Sequence, residues 1–328
     1  MVREGFDYQV LPSFRNTPSG VQMLFRSCNR RVWSLGTTVI LKESPYDSPS
    51  ETPWDEKAIL DFVSQHTSIP VPRVISEWVD SAASLHFLLR DKMPGEPLDA
   101  LWPSLSWAQK EHIADQTAAY LAELRRLHAP YMGRLNRQPL VDQMLFNVLY
   151  PEPQGPFDSG DKLWEAMAAT LHGQVPQVAL NRLGALMPPC EPFTFTHGDL
   201  SMGNIIVHDG RVSGLIDWEW SGFAPVWWEY AKFRAGSPRW IDPDWFELLQ
   251  HRIDPHHAAF AFWDKFHTLA LKIETTDPRK QRAGSAVLAE LLDEGDDGDD
   301  DDGGGGDVYF DGDADSGVRL TEPADYCI

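Results

Sequence analysis

The spacing of apolar positions changes along this chain, and the change falls near Ser106. Before it, β-favouring residues come in short runs, Gly20–Cys28, Arg31–Leu35 and Thr38–Lys42, broken at Asn29-Arg30 and Gly36-Thr37. One stretch differs. Trp54–His66 places Ile59, Leu60, Phe62 and Val63 at helical spacing, after the Pro/Ser/Asp-rich segment Ser44–Thr52. Ile69-Pro70-Val71-Pro72 cannot be helical and reads as an extended connector. Val74–Val79 and Leu85–Leu89 read as a last strand pair, and Met93-Pro94-Gly95 closes the section.

From Ser106 onward helical spacing dominates. Ser106-Trp107-Ala108-Gln109 has the form of a capping box, and Ile113, Thr117, Tyr120, Leu121, Leu124 and Leu127 follow along one face. A hairpin interrupts the helices. Ile205–His208 and Val212–Ile216 are apolar runs joined by Asp209-Gly210, a strong two-residue turn signal. Further helices are expected over Trp227–Arg234, Pro243–Gln250 and His256–Ile273, with a short helical piece at Ala286–Leu292. Asp293–Gly306 is almost wholly Asp and Gly, cannot bury apolar surface and reads as disordered.

Composition adds two points. The net charge of −21 over 328 residues is concentrated after Ser285, where fifteen acidic residues face one basic, leaving −7 for the rest. The folded part therefore carries no basic surplus of the kind nucleic-acid binding demands. The start, Met1–Asp7, has no apolar run of a secretory leader, no apolar run approaches bilayer length, and Cys28, Cys190 and Cys327 form no metal or disulfide pattern. A cytoplasmic location is expected.

The chemistry is carried by His197-Gly198-Asp199-Leu200-Ser201-Met202-Gly203-Asn204 and Ile216-Asp217-Trp218-Glu219. Asp199 and Asn204 sit on the loop entering the hairpin, and Asp217 just past its second strand. A hairpin returns its ends to one side, so the three side chains converge. That is the set a kinase-type phosphoryl transfer needs: Asp199 to receive the acceptor hydroxyl proton, Asn204 and Asp217 to hold Mg²⁺. Upstream, Lys42 ends a strand and Glu56 opens a helix, an arrangement that puts an ammonium on the α/β-phosphates with a carboxylate fixing it. His197 reads as a packing residue beside the loop, since such transfer needs no imidazole base. Glu219 reads equally as a second metal or hydroxyl contact and as a surface carboxylate. Ser34-Leu35-Gly36-Thr37-Thr38, the expected phosphate loop, holds one glycine and does not match G-x-G-x-x-G.

On these residues, together with the run His66–Val74 and the Met93-Pro94-Gly95 connector, the chain resembles the aminoglycoside phosphotransferase and choline kinase-like family. It is most similar to that family's fungal small-molecule kinases, over roughly residues 20–275. Trp218 stands where protein kinases place Phe after the metal-binding Asp, which points to the small-molecule branch. The resemblance implies an α+β, protein kinase-like two-lobe fold, with a small N-terminal antiparallel β lobe and a larger, mainly helical C-terminal lobe. A nucleotide-binding lobe would span 1–93, the lobe holding the catalytic loop and substrate pocket 94–284, and an acidic tail 285–328. It implies a hinge at Arg90–Met93, with Asp91 and Met93 binding the nucleotide, and a substrate pocket shaped by Leu140–Pro189 and Trp218–Phe233. Its cofactors would be ATP and Mg²⁺, and its partner a small hydroxylated molecule, with no nucleic acid or membrane. Two alternatives stay open. One is a kinase-fold protein that binds a nucleotide or metabolite without efficient transfer. The other is a protein kinase, against which the sequence shows no Asp-Phe-Gly and no Ala-Pro-Glu.

Overall fold

Alternation of apolar and polar residues produces the first unit. A computed structural model describes residues 20–26, 30–46, 56–142, 144–146, 152–235 and 242–293. β1 (Val21–Arg26), β2 (Arg31–Leu35), β3 (Val39–Pro45), β4 (Val74–Asp80) and β5 (Leu85–Asp91) form a five-stranded sheet in the order β1-β2-β3-β5-β4. Every pairing is antiparallel. Ile40 pairs with Arg90 and Lys42 with Leu88, so the period of two puts Ile40, Lys42, Leu88 and Arg90 on one face.

Helix α1 (Glu56–His66) follows β3 in the chain and leads to β4 through the connector 67–73. The expected start at Trp54, like Cys28 and the part of the acidic tail beyond residue 293, lies outside the described residues. Ile59, Leu60 and Val63 of α1 are buried in the same apolar core as the helices of the C-terminal half. Its Phe62 ring lies 5.1 Å from Phe195. The helix is thus anchored on one lobe while its first residue, Glu56, reaches the sheet of the other.

The chain then crosses through β6 (Glu96–Pro97) and α2 (Leu98–Leu101) to α3 (Trp107–Leu124). The capping box forms: the Gln109 side-chain carbonyl accepts from the Ser106 N–H at 2.9 Å and its hydroxyl at 2.7 Å. β7 (His128–Ala129), α4 (Gly160–Ala169) and α5 (Gln177–Ala185) lead to β8 (Phe193–Thr196). β9 (Ile205–His208) and β10 (Arg211–Leu215) make the expected hairpin, with Asp209 at φ 49 and Gly210 at φ 74. β9 also pairs with β6, and β11 (Gly222–Pro225) pairs with β8.

Helices α6 (Trp228–Ala235), α7 (Pro243–Gln250), α8 (His257–Glu274) and α9 (Pro278–Leu292) complete the lobe. The short helix expected at Ala286–Leu292 is the second half of α9, which therefore runs through residue 284. Trp227 and Trp228 are 1 % and 2 % exposed, so both belong to the core. Among the described residues no helix is long and apolar enough to cross a membrane.

Candidate active site

Lys42 joins the two lobes. Its Nζ donates to Glu56 Oε2 at 2.7 Å and to Asp217 Oδ1 at 2.8 Å. Burial opposes the charge on Lys42, but the Asp217 and Glu56 carboxylates outweigh it and hold its pKa above the ordinary lysine value. Burial would likewise raise Asp217; Lys42, by charge and by hydrogen bond, and then Arg90 hold it below the usual carboxylate range. Arg90, 4 % exposed on the same sheet face, has its own pKa lowered by burial, against the attraction of Glu56 and Asp217.

The loop between β8 and β9 places Asp199 beside this group. The Asn204 amide donates to the Asp199 carbonyl at 2.8 Å and to its carboxylate at 3.1 Å. This leaves the Asn204 oxygen as its acceptor atom. Desolvation raises the Asp199 pKa although the residue is exposed on the loop, opposed by Lys232 and by the Asn204 hydrogen bond and reinforced by the negative Asp217. Two neighbouring carboxylates are thereby separated in basicity. Asp217 stays ionised, and Asp199 gains proton affinity.

Three features shape these loops. Gly198 has φ +80, and a Cβ there would lie 2.3 Å from the Trp220 carbonyl oxygen, so only glycine fits. Asp217 itself adopts φ 65, a conformation in which non-glycine residues are uncommon and Asp and Asn enriched. His197 is fully buried and accepts the Asp199 N–H on Nδ1 at 3.2 Å. Its Nε2–H donates to the Ile216 carbonyl at 3.0 Å, which makes the ring neutral and structural.

Glu219 is not a bare surface carboxylate. It accepts from Arg30 Nη1 at 2.5 Å, and burial, then the charge of Asp217, push its pKa up to about 7. Asp91 and Met93 stand apart from the Lys42 group. The Asp91 N–H donates to the Arg73 carbonyl at 2.9 Å and its carboxylate accepts from Arg73 at 3.1 Å, at the surface. Met93 packs over Gly214, where a Cβ would lie 2.6 Å from its Cγ.

The turn Ser34–Thr38, expected to cover phosphates, is a correction. It joins β2 to β3, and the Thr38 carbonyl accepts the Lys92 N–H at 2.8 Å, which puts it at the Asp91–Met93 end of the sheet. Arg31 pairs with both Arg26 and Glu43, so the end of the sheet next to Lys42 is where β1 ends and β2 begins. Turn composition reveals a turn but not which end of a sheet it occupies.

Sequence reasoning also missed Glu229. Its Oε2, 6 % exposed as a residue, accepts from the Thr196 hydroxyl, the His197 N–H at 2.7 Å and the Gly198 N–H at 3.2 Å. The available signal was one acid inside the apolar run Trp227–Phe233. Beside it, Lys232 pairs with the buried Asp142 at 3.1 Å, and the Trp228 indole donates to the same carboxylate at 3.2 Å.

A small antiparallel sheet bearing a Lys–Glu pair, over a helical lobe that presents Asp, Asn and Asp from a loop and hairpin, defines a kinase-like phosphotransferase fold. Within that class the chain belongs to the phosphotransferase enzyme family (APH), whose profile matches residues 25–263. A 43-residue stretch is 51 % identical to the aminoglycoside 3'-phosphotransferase of Enterococcus faecalis, 13 % of this chain and only 16 % of that protein. Among solved structures, an apo thermostable mutant of aminoglycoside phosphotransferase APH(4)-Ia is similar at TM-score 0.53 and 15 % identity, covering 83 % of this chain and 94 % of that one. The streptomycin-ATP-APH(2")-IIa ternary complex gives TM-score 0.53 at 13 % identity, over 82 % and 90 %. At these identities the likeness is one of fold.

Proposed function

We propose that the protein is an ATP- and Mg²⁺-dependent phosphotransferase that moves the γ-phosphate to a hydroxyl of a small molecule. The observation that carries this reading is Lys42 bonded at once to Glu56 at 2.7 Å and Asp217 at 2.8 Å, with Asp199 and Asn204 on the adjoining loop. Lys42, oriented by Glu56, faces the α/β-phosphates, and the backbone of Asp91 and Met93 reads the adenine between a nucleotide lobe to residue 93 and an acceptor lobe from 94. Asp199, raised in basicity, accepts the proton of the attacking hydroxyl, and Asn204 holds its carboxylate in place.

Asp217 and the Asn204 oxygen are hard donors that suit Mg²⁺, which takes one or two carboxylates and completes its shell with phosphate and water. Bound there, Mg²⁺ would neutralise charge on the triphosphate. Structural relatives are recorded with ATP and streptomycin, and with AMP-PNP and hygromycin B, which supports a nucleotide donor and a hydroxylated acceptor. The proposed location is the cytoplasm, where ATP is at hand.

The test is thermal unfolding with Mg²⁺-ATP beside Asp217→Ala, followed by phosphate transfer to hydroxylated metabolites. A Mg²⁺-dependent stabilisation absent from the variant supports the reading, and transfer by purified Asp217→Ala sinks it. A second reading, nucleotide binding without transfer, is favoured by one observation: residues Ser27 to Arg31, around the β1–β2 turn, contain no glycine. Saturable ATP binding with no transfer to any acceptor would select it.

A further inference from the structure

Residues Ser27 to Arg31 hold no glycine, so this segment lacks the composition of a glycine-rich loop whose backbone N–H groups cover a triphosphate. A long cationic side chain from the same segment can reach instead. We propose that Arg30 grips the outer phosphates of the nucleotide in place of a glycine-rich loop, and that Glu219 holds its guanidinium until the nucleotide arrives. This inference rests on the phosphotransferase reading above.

The sheet register places Arg30. Arg31 opposes Glu43, the residue after Lys42, so the start of β2 lies beside Lys42. Successive side chains on a strand point to opposite faces. Arg31 pairs with Glu43, whereas Arg30 crosses to Glu219, 189 positions away, at 2.5 Å. Glu219 follows Asp217 by two residues, and Asp217 is bonded to Lys42 at 2.8 Å. The Arg30 guanidinium therefore ends within the group of charges that would receive the triphosphate. Its planar fork suits phosphate and carboxylate alike, so one oxyanion can replace the other without rebuilding the turn. Both side chains are about one-fifth exposed, at 20 % and 19 %, which leaves the pair accessible to an incoming ligand.

Isothermal titration of the full chain with ATP, ADP and adenosine, with and without Mg²⁺, tests this on wild type, Arg30→Ala, Arg30→Lys, Glu219→Gln and the Arg30→Ala/Glu219→Gln double variant. Melting temperatures establish that each is folded. Arg30→Ala is expected to weaken ATP binding about 10–100-fold, the scale of a lost charge-assisted bond, and adenosine less than about twofold. Arg30→Lys should recover part of the loss. Glu219→Gln should tighten metal-free ATP binding several-fold when Arg30 is present, and the gain should vanish in the double variant. Equal weakening of ATP and adenosine would make the pair a mere tie between lobes and overturn the proposal. Unchanged ATP binding by Arg30→Ala, beside a wild type that binds, would overturn the Arg30 assignment alone. A wild type that binds no adenine nucleotide would overturn both this and the phosphotransferase reading.

Discussion

The His197 ring bonds to the residues on either side of the candidate site, accepting the Asp199 N–H at 3.2 Å and donating to the Ile216 carbonyl at 3.0 Å. The peptide that leaves Ile216 enters Asp217, so one buried neutral imidazole sets the separation of both carboxylates. Trp218 backs the ring at a centroid distance of 4.5 Å. His197→Ala should cost about 2–4 kcal/mol, from two lost hydrogen bonds and a cavity, and lower turnover by at least about tenfold. His197→Gln, which can both donate and accept, should recover part of each. Urea unfolding and phosphate transfer measure the two effects, and a folded His197→Ala enzyme with full turnover would show that the ring does not position the loops.

Glu229 gathers three donors, Thr196 Oγ, His197 N and Gly198 N, on one oxygen. Removing that oxygen strands buried donors of the loop itself. Glu229→Ala is expected to destabilise by about 3 kcal/mol or more and to reduce turnover together with stability. Chemical denaturation would reveal this, and a loss below about 0.5 kcal/mol would mean that the loop finds other acceptors.

Gly198→Ala tests the same loop from the backbone side. At φ +80 an L-residue is strained by roughly 1–2 kcal/mol, and the added methyl would stand 2.3 Å from the Trp220 oxygen. The loop must move, so stability and phosphate transfer should both fall. Wild-type kinetics in this variant would contradict the packing described.

His267 gives a pH signature of its own. It stacks on Trp263 at 4.8 Å, and burial, then the positive Lys280, lower its pKa to about 4 against the pull of Asp142. The unfolded chain binds this proton near pH 6.5, the folded chain only near pH 4. Its contribution is therefore whole above about pH 6.5 and is lost as pH falls toward about 4. Melting curves should show His267→Gln losing less stability than wild type between pH 7 and pH 5. Parallel losses would place the acid sensitivity elsewhere.

Helix α7, the hairpin of β9 and β10, and the capping box of α3 were legible because their signals are local. Each start, stop or turn is set by residues within a few positions of it. Helix α9 was legible only in its second half. Gly284 interrupts the pattern, and the reason for it lies on α8, where Lys272 Cβ would stand 2.4 Å from an added Cβ. The misplaced phosphate turn has a related cause. Ser34–Thr38 carries a glycine and Ser27–Arg31 none, so composition pointed to the wrong end of β2, and strand pairing shows which end adjoins Lys42.

What the residues declared on their own was where the candidate catalytic groups stand. Asp199, Asn204 and Asp217 lie on one short loop and hairpin, so their convergence follows from local geometry, and Lys42 and Glu56 are separated by one connection between strand and helix. Folding was needed to reveal what supports and modulates that chemistry: Glu229 beneath the loop, Arg90 beside Lys42, and Arg30 against Glu219. These partners meet across strand order and between lobes, where sequence separation carries no information about distance, and burial, not spacing, determines how strongly their charges act.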